Sequence, residues 1–331
     1  MADAAREEKD PPKRGARPWL RWVVSLSVVG LIAFTVDLTP AFAAIGRADP
    51  FWIALGLLLT VAEQFVIIAA WGGMMRAKGW GIPFGTLTRI SFAGNFLGFA
   101  MPSSSGPDLV RVMGLGRYLA NVSDGLASLA LIRVVSVGVL FAGALALSIL
   151  FYDRLPQGET LDLIVAGLAL GTAAVAGLFL AVGGAFALAR RMLAGGRFDR
   201  LFRKLEKTHD AYLVFRGNRR ALLWMAPGAV AGPVNRVALS WVMAQALGMN
   251  LDLSLFLVFV PVIAAVARLP FTVAGLGLRE GGYLFLFGLA GVAPAEAVSL
   301  SLLVFAMILP NVAIGGAVYW LGGMPSGDAD R

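Results

Sequence analysis

The sequence predicts an all-α protein that crosses a membrane several times, and three observations support this fold class. First, 58% of its 331 residues are hydrophobic and only 15% are charged, whereas about a quarter of the residues of a soluble domain are charged. Second, the charged residues separate long apolar runs, several of which reach the roughly 20 residues that a helix needs to cross a bilayer. Third, two shorter apolar runs end in a proline and a loop of small residues. We therefore predict about six full transmembrane helices and two re-entrant helical hairpins.

The predicted elements follow from the apolar runs in chain order. The full spans are residues 19–36, 51–75, 125–151, 161–189, 221–247 and 295–321, and the hairpins are residues 84–118 and 254–290. Residues 1–18 are charged and contain prolines, which predicts a disordered tail, and residues 323–331 form a second, short tail. Between the tails we expect a single transmembrane domain, residues 19–322.

Basic residues predict the orientation of this domain. Arg14, Arg17 and Arg21 flank the first span, and the segment 190–220 is rich in arginine and lysine. Since basic loops stay in the cytoplasm, we expect this segment and both termini on the cytoplasmic side of a bacterial-type inner membrane. Apolar residues, among them Tyr212, recur at helical spacing in the segment. Part of it therefore either lies flat on the inner leaflet or serves only as a topological anchor.

The two hairpins share a pattern of proline, small residues and arginine. The residues that break their helices are Pro102, Gly106, Pro270, Gly275 and Gly277. An arginine stands at the ninth position after each proline, Arg111 after Pro102 and Arg279 after Pro270. The predicted topology makes the hairpins enter the membrane from opposite faces. This pattern is typical of inverted repeats, whose broken helices meet at the midplane and build a binding site.

Arginine and acidic side chains at membrane depth mark the candidate substrate site. They are Asp108, Arg111, Arg133, Arg236, Arg268, Arg279 and Glu280. Arginine stays charged and its planar fork suits phosphate, so we predict a polar pocket that holds a lipid phosphate or another anionic head group. Alternatively, the two acids neutralise arginines and lock the hairpins in place. Both hypotheses stay open at this point.

Glu63 lies within the second predicted span. An ionisable residue inside a span is expensive and is therefore often functional, which makes Glu63 a candidate for ion coupling. The alternative is a hydrogen bond that packs two helices.

The hairpin motifs resemble those of the lysylphosphatidylglycerol synthetase transmembrane-region (flippase-like) family. The first motif is carried by Pro102, Gly106, Asp108 and Arg111, and the second by Gly275, Gly277, Arg279 and Glu280. Pro107 replaces a glycine of the first motif, and Ile132 replaces an aspartate that often precedes the arginine at Arg133. We therefore expect that aspartate's salt bridge to be missing here.

The resemblance implies a role in lipid movement. The family includes the flippase portion of proteins that attach amino acids to phosphatidylglycerol, and stand-alone members, some of them associated with hopanoid biosynthesis. This sequence ends soon after its last span, so we expect no synthase activity. The leading hypothesis is a flippase-like transporter that moves a lipid or lipid-linked head group between leaflets. The alternative is an accessory protein that presents a lipid or hopanoid-type intermediate to a biosynthetic enzyme without transporting it.

Composition argues against other classes of function. The chain has no cysteine and one histidine, His209, so we expect no thiol chemistry, no zinc set and no other metal or cofactor. We expect no enzyme activity and find no ATP-binding loop. The net charge of +8 favours an anionic phospholipid, or a hopanoid or isoprenoid lipid, over nucleic acid as partner, because the basic residues lie beside the spans.

Overall fold

Helices account for the regular structure in the computed structural model, which describes residues 26–27, 30–32, 34, 36–99, 101, 106–116, 118–119, 122–193, 199–267 and 275–322. The first six helices are α1 (Thr39–Gly46), α2 (Pro50–Ala77), α3 (Phe84–Phe99), α4 (Gly106–Gly114), α5 (Val122–Leu150) and α6 (Glu159–Leu193). The next six are α7 (Asp199–Gly217), α8 (Arg219–Ala246), α9 (Leu253–Val266), α10 (Leu278–Leu289), α11 (Pro294–Ala306) and α12 (Leu309–Gly322). The described part of the chain contains no strand, which confirms the all-α prediction.

Four stretches of the described chain are helical, long and apolar enough to cross a membrane. They are Pro50–Ala77, Ser123–Leu150, Glu159–Ala181 and Pro294–Leu321, which match four of the six predicted spans. Helix α8 matches the predicted span 221–247, although its prolines, Asn235 and Arg236 keep it out of this group. The predicted span 19–36 lies largely outside the described residues. The count of six spans and two re-entrant hairpins therefore stays a prediction.

The last predicted span is broken into two helices, where the sequence predicted one. Helix α11 ends at Ala306 and α12 begins at Leu309. The cause is Pro310, because a proline ring collides with the carbonyl of the residue four positions earlier and lacks an N–H to donate to it. That residue is Ala306.

Each stretch predicted as a hairpin contains two helices that pack against each other. Arms α3 and α4 pack against each other, as do arms α9 and α10. In the second hairpin, Gly275 and Gly277 have φ angles of 78° and 86°, in the left-handed region that glycine adopts without strain. The predicted residues Pro102, Arg268 and Pro270 lie outside the described residues.

Two halves of the chain repeat the same series of helices. Helices α2 and α8 begin 169 residues apart, as do α3 and α9, and the spacing is 172 residues from α4 to α10 and from α5 to α11. The first arm of each hairpin also packs on a helix of the other half: α3 of the first half packs on α12, and α9 of the second half packs on α5. Such an exchange is what a two-fold relation between the halves produces.

Helices α2 and α8 form the centre of this arrangement and run antiparallel. Gly56 near the start of α2 lies against Leu239 and Met243 near the end of α8, and Gly73 near the end of α2 lies against Trp224 near the start of α8. Glu63 and Asn235 meet halfway along. An antiparallel crossing of equivalent helices is the geometry expected of an inverted repeat.

The basic segment 190–220 contains α7, which packs on α5. Tyr212 and Phe215 are buried inside the protein, in a core cluster with Met75 of α2. The end of α7 therefore packs on the protein through Tyr212, whereas the sequence left open whether part of this segment lies flat on the inner leaflet or serves only as a topological anchor.

Candidate functional site

A cluster of charged side chains lies where the first hairpin meets α5. Asp108 Oδ1 lies 3.0 Å from Arg111 Nη1, one turn along α4, and Asp108 Oδ2 lies 2.5 Å from Arg133 Nη2 on α5. The exposed fraction is 17% for the Asp108 side chain, 14% for Arg111 and 48% for Arg133. The cluster thus leads from the protein surface at Arg133 to a buried guanidinium at Arg111.

Two amide side chains extend this cluster to α2. Arg111 Nη2 donates to Asn95 Oδ1 on α3 at 2.7 Å, and Asn95 Nδ2 donates to Gln64 Oε1 on α2 at 3.1 Å. The direction of these bonds follows from chemistry, because a guanidinium only donates and so must face the oxygen of Asn95. Two buried donors, Arg111 Nε and Gln64 Nε2, have no hydrogen-bond partner among the described residues.

Glycines on α3 let α4 approach closely enough to place Arg111. A side chain at Gly98 would collide with the backbone of Pro107. A Cβ atom at Gly94 would stand 3.0 Å from the Cγ atom of Arg111 and 3.0 Å from the carbonyl of Pro107. The aliphatic stem of Arg111 therefore runs over a surface that only glycine leaves open.

The second hairpin holds its own ion pair. Arg279 pairs with the adjacent Glu280, whose other carboxylate oxygen accepts the backbone N–H of Gly277 at 2.6 Å. The Arg279 guanidinium also lies 4.4 Å from the ring centre of Phe305 on α11. This hydrogen bond ties the ion pair to the glycine turn that begins α10.

Phe305 connects the two hairpins. Its ring stacks on Phe99 at the end of α3, with ring centres 6.5 Å apart. The guanidinium of Arg279 lies over the same ring. Within the described residues the charged groups of the two hairpins form no ion pair with each other. Phe305 of α11 thus forms an aromatic bridge between α3 of the first pair of helices and α10 of the second.

Glu63 and Arg236 lie at the α2–α8 crossing. Asn235 Nδ2 donates to Glu63 Oε2 at 2.5 Å, and Arg236, the next residue on α8, is exposed. The helix-packing hydrogen bond considered for Glu63 is therefore present.

The structure places most predicted residues and adds others that the sequence did not reveal. Asp108, Arg111 and Arg133 come together, Arg279 and Glu280 form a separate pair, and Arg268 lies outside the described residues. Asn95, Asn235 and Phe305 were not predicted as site residues, because an uncharged side chain in an apolar helix resembles ordinary packing. Among the described residues, no three His, Asp or Glu side chains lie close enough together to hold a metal ion.

The fold and these clusters define the class, a multi-pass helical membrane protein with ion pairs inside two broken hairpins. The chain belongs to the lysylphosphatidylglycerol synthase TM region family, whose model matches residues 19–315. This match confirms the resemblance found in the hairpin motifs and ties the protein to the handling of membrane lipids. Neither curated proteins nor solved structures gave a match.

Proposed function

We propose that this protein is a flippase-like transporter that moves a phosphate-bearing lipid between leaflets through a polar pocket at the first hairpin. The observation that carries the proposal is the buried Arg111 guanidinium. Asp108 and Asn95 hold two of its nitrogens, and its Nε–H has no partner among the described residues. A buried N–H without an acceptor costs about 1–3 kcal/mol, which an oxygen of a head group would offset.

The charges of the cluster support an anionic ligand. Two guanidinium groups, of Arg111 and Arg133, lie against the single carboxylate of Asp108. The three side chains therefore carry a net positive charge, which a phosphodiester would neutralise with charge-assisted hydrogen bonds.

The exposure of the cluster suggests a route. Arg133 is half-exposed and Arg111 is largely buried, and Asp108 lies between them. In the proposed mechanism a head group first meets Arg133 at the lipid-facing surface of α5 and then moves inward to Arg111. The acyl chains stay in the bilayer throughout.

The repeated halves provide a means of alternating access. Helix α11 packs on the second hairpin through α10, and α12 packs on the first hairpin through α3. A rearrangement at the break between α11 and α12 would shift one hairpin against the other, as rocking of repeats does in other transporters.

The charge distribution supports the orientation proposed for the chain. Two core clusters mark two ends of the protein, one with Phe287 and the other with Phe215. Asp49, Asp162 and Asp252 lie beside the cluster with Phe287, whereas Arg76 and Lys78 lie beside the cluster with Phe215. We propose that the basic end faces the cytoplasm, with both termini on that side.

Translocation in vesicles tests the proposed function. The purified protein would be placed in phosphatidylcholine vesicles with a trace of phosphatidylglycerol labelled on an acyl chain, and the labelled lipid reaching the outer leaflet would be followed by chemical quenching. We expect Arg111→Lys, which keeps the charge but loses the fork, to slow translocation about tenfold. Arg47→Lys, the same substitution at an exposed position after α1, is the matched control and should leave the rate unchanged.

The same assay separates the alternative. A protein that retains bound phospholipid through purification but moves none in vesicles would be an accessory that presents lipid to an enzyme. Wild-type protein that neither binds nor moves phospholipid would contradict the transporter proposal and leave only an accessory for a lipid without phosphate, such as a hopanoid-type intermediate.

A further inference from the structure

Asn95 of α3 binds one of the two terminal nitrogens of the Arg111 guanidinium. Arg111 Nη1 donates to Asp108 Oδ1 at 3.0 Å, and Arg111 Nη2 donates to Asn95 Oδ1 at 2.7 Å. One carboxylate and one amide therefore share the fork of this arginine. A carboxylate at position 95 could accept the same hydrogen bond, so hydrogen bonding alone does not explain why an amide stands there.

The packing of α4 on α3 keeps Arg111 against Asn95. A Cβ atom at Gly94 would stand 3.0 Å from the Cγ atom of Arg111, so the stem of the arginine lies directly on α3. On its other side, Asn95 Nδ2 donates to Gln64 Oε1 on α2 at 3.1 Å. The Asn95 amide is thus bound at both ends, with its oxygen facing the guanidinium.

The amide leaves the charge of Arg111 in place. The side chains of Arg111 and Arg133 are cationic and that of Asp108 is anionic, so the three carry one positive charge in excess. An acidic residue at position 95 would lower this excess to zero. Because charges interact strongly where little water screens them, one unit of charge changes which ligands the cluster attracts.

The second hairpin shows a different arrangement. Arg279 pairs with Glu280, and the two charges cancel. Glu280 also accepts the backbone N–H of Gly277 at 2.6 Å, so this neutral pair is part of the turn that begins α10. Arg111, by contrast, shares its acid with Arg133 and takes its second acceptor from an uncharged side chain.

We propose that Asn95 determines the charge selectivity of the first hairpin. It orients the Arg111 guanidinium as an acid would, but it leaves the positive charge available to an anionic ligand. This inference rests on the proposed function and assigns the preference for an anionic lipid to one uncharged residue. Asn95 acts through Arg111 and needs no contact of its own with the lipid.

Asn95→Asp separates the charge from the hydrogen bonds, because aspartate has the shape of asparagine. The new carboxylate would accept from Arg111 as the amide does. Gln64 could turn its amide by half a turn and donate through Nε2, which has no hydrogen-bond partner among the described residues. Since a charge-assisted bond replaces a neutral acceptor, we expect the variant to unfold at the wild-type temperature or above it.

Two lipids that differ in net charge test the selectivity. Phosphatidylglycerol is anionic and phosphatidylethanolamine is zwitterionic, and each would carry the same acyl-chain label as a trace in phosphatidylcholine vesicles that contain the full chain. We expect wild type to move the anionic lipid about tenfold faster. Asn95→Asp should reduce this ratio to about one by slowing the anionic lipid alone. Asn250→Asp, the same substitution at an exposed position between α8 and α9, should keep the wild-type ratio.

Exchanging the amide and the carboxylate provides a rescue. Asn95→Asp combined with Asp108→Asn restores the excess of one positive charge around Arg111. The double variant should therefore regain most of the ratio that Asn95→Asp loses, with thermal unfolding as the check that both variants are folded.

The outcomes separate this inference from the proposed function. A folded Asn95→Asp variant with the wild-type ratio would restrict Asn95 to packing and overturn the proposal. A folded double variant without any recovery would also overturn it, because net charge would not be the cause of the loss. Wild type that moves both lipids equally would refute the selectivity but leave transport intact, whereas wild type that moves neither would reject the proposed function.

Discussion

Arg133 on α5 lies 2.5 Å from the Oδ2 atom of Asp108 and thereby ties the first hairpin to the helix that follows it. The same carboxylate holds Arg111 through its other oxygen. The sequence predicted only that the salt bridge of the family's aspartate is missing, because Ile132 replaces that residue. Arg133 pairs instead with Asp108, an acid of the hairpin itself.

Asp108→Asn should destabilise the protein by about 2 kcal/mol, because it leaves two guanidinium groups close together without a carboxylate. The loss is smaller than for a fully buried pair because Arg133 is half-exposed. Thermal unfolding in detergent measures it. Adding Arg133→Gln to Asp108→Asn should restore part of the loss, and a double variant less stable than Asp108→Asn would show that the two residues do not interact.

Phe305→Leu should slow lipid translocation and cost about 1–2 kcal/mol of stability, because it removes the contact with Arg279 and the stacking on Phe99. Phe305→Tyr keeps the ring and should retain most of both. The vesicle assay and thermal unfolding measure the two effects. Phe285→Leu, at an exposed position on α10, is the control. Normal translocation by Phe305→Leu would mean that the aromatic bridge does not couple the hairpins.

Asn218→Ala should lower stability by about 1–2 kcal/mol. The Asn218 side chain accepts the N–H of Ala221 at the start of α8 and donates to the carbonyl of Ala77 at the end of α2. Asn218→Ser keeps the cap of α8 but loses the reach to Ala77, so its loss should be about half as large. Thermal unfolding compares them, with the exposed Asn250→Ala as control. Equal stability of Asn218→Ala and wild type would exclude a joint cap.

Gly315→Ala should destabilise the protein by about 1–3 kcal/mol, because the new methyl group meets the backbone carbonyl of Phe92, which has little freedom to move. Gly143→Ala is the matched substitution in an open part of α5 and should be neutral or slightly stabilising. Thermal unfolding of both variants provides the comparison. Similar values for the two would show that α3 and α12 are not closely packed.

Glu63→Gln separates ion coupling from packing. Glutamine can still accept the hydrogen bond from Asn235, so we expect the fold and the rate without a pH gradient to be retained. If the carboxylate carries a proton across the α2–α8 crossing, the variant loses the acceleration that a pH gradient across the vesicle membrane gives to wild type. An unchanged response to the gradient would restrict Glu63 to packing.

The sequence by itself predicted most of the helices and the charged residues that are candidates for the site. Apolar length predicted the spans that match α2, α5 and α6, and the breaks after Phe99 and Val266 came from local rules for proline and glycine. Such features depend on neighbouring residues only, so they can be read along the chain. The fold class and the family were predicted for the same reason.

Only the tertiary structure decided which of these groups meet. Arg133 pairs with Asp108 and Gln64 accepts a hydrogen bond from Asn95 across successive helices, and which residues of two such helices face each other depends on how the helices pack. A hydrogen bond between uncharged amides leaves no periodic signal in the chain, so Gln64 and Asn95 gave no sign of their contact. The physical reason is that a buried polar atom is recognised by its surroundings, and those exist only once α2, α3 and α12 have packed together.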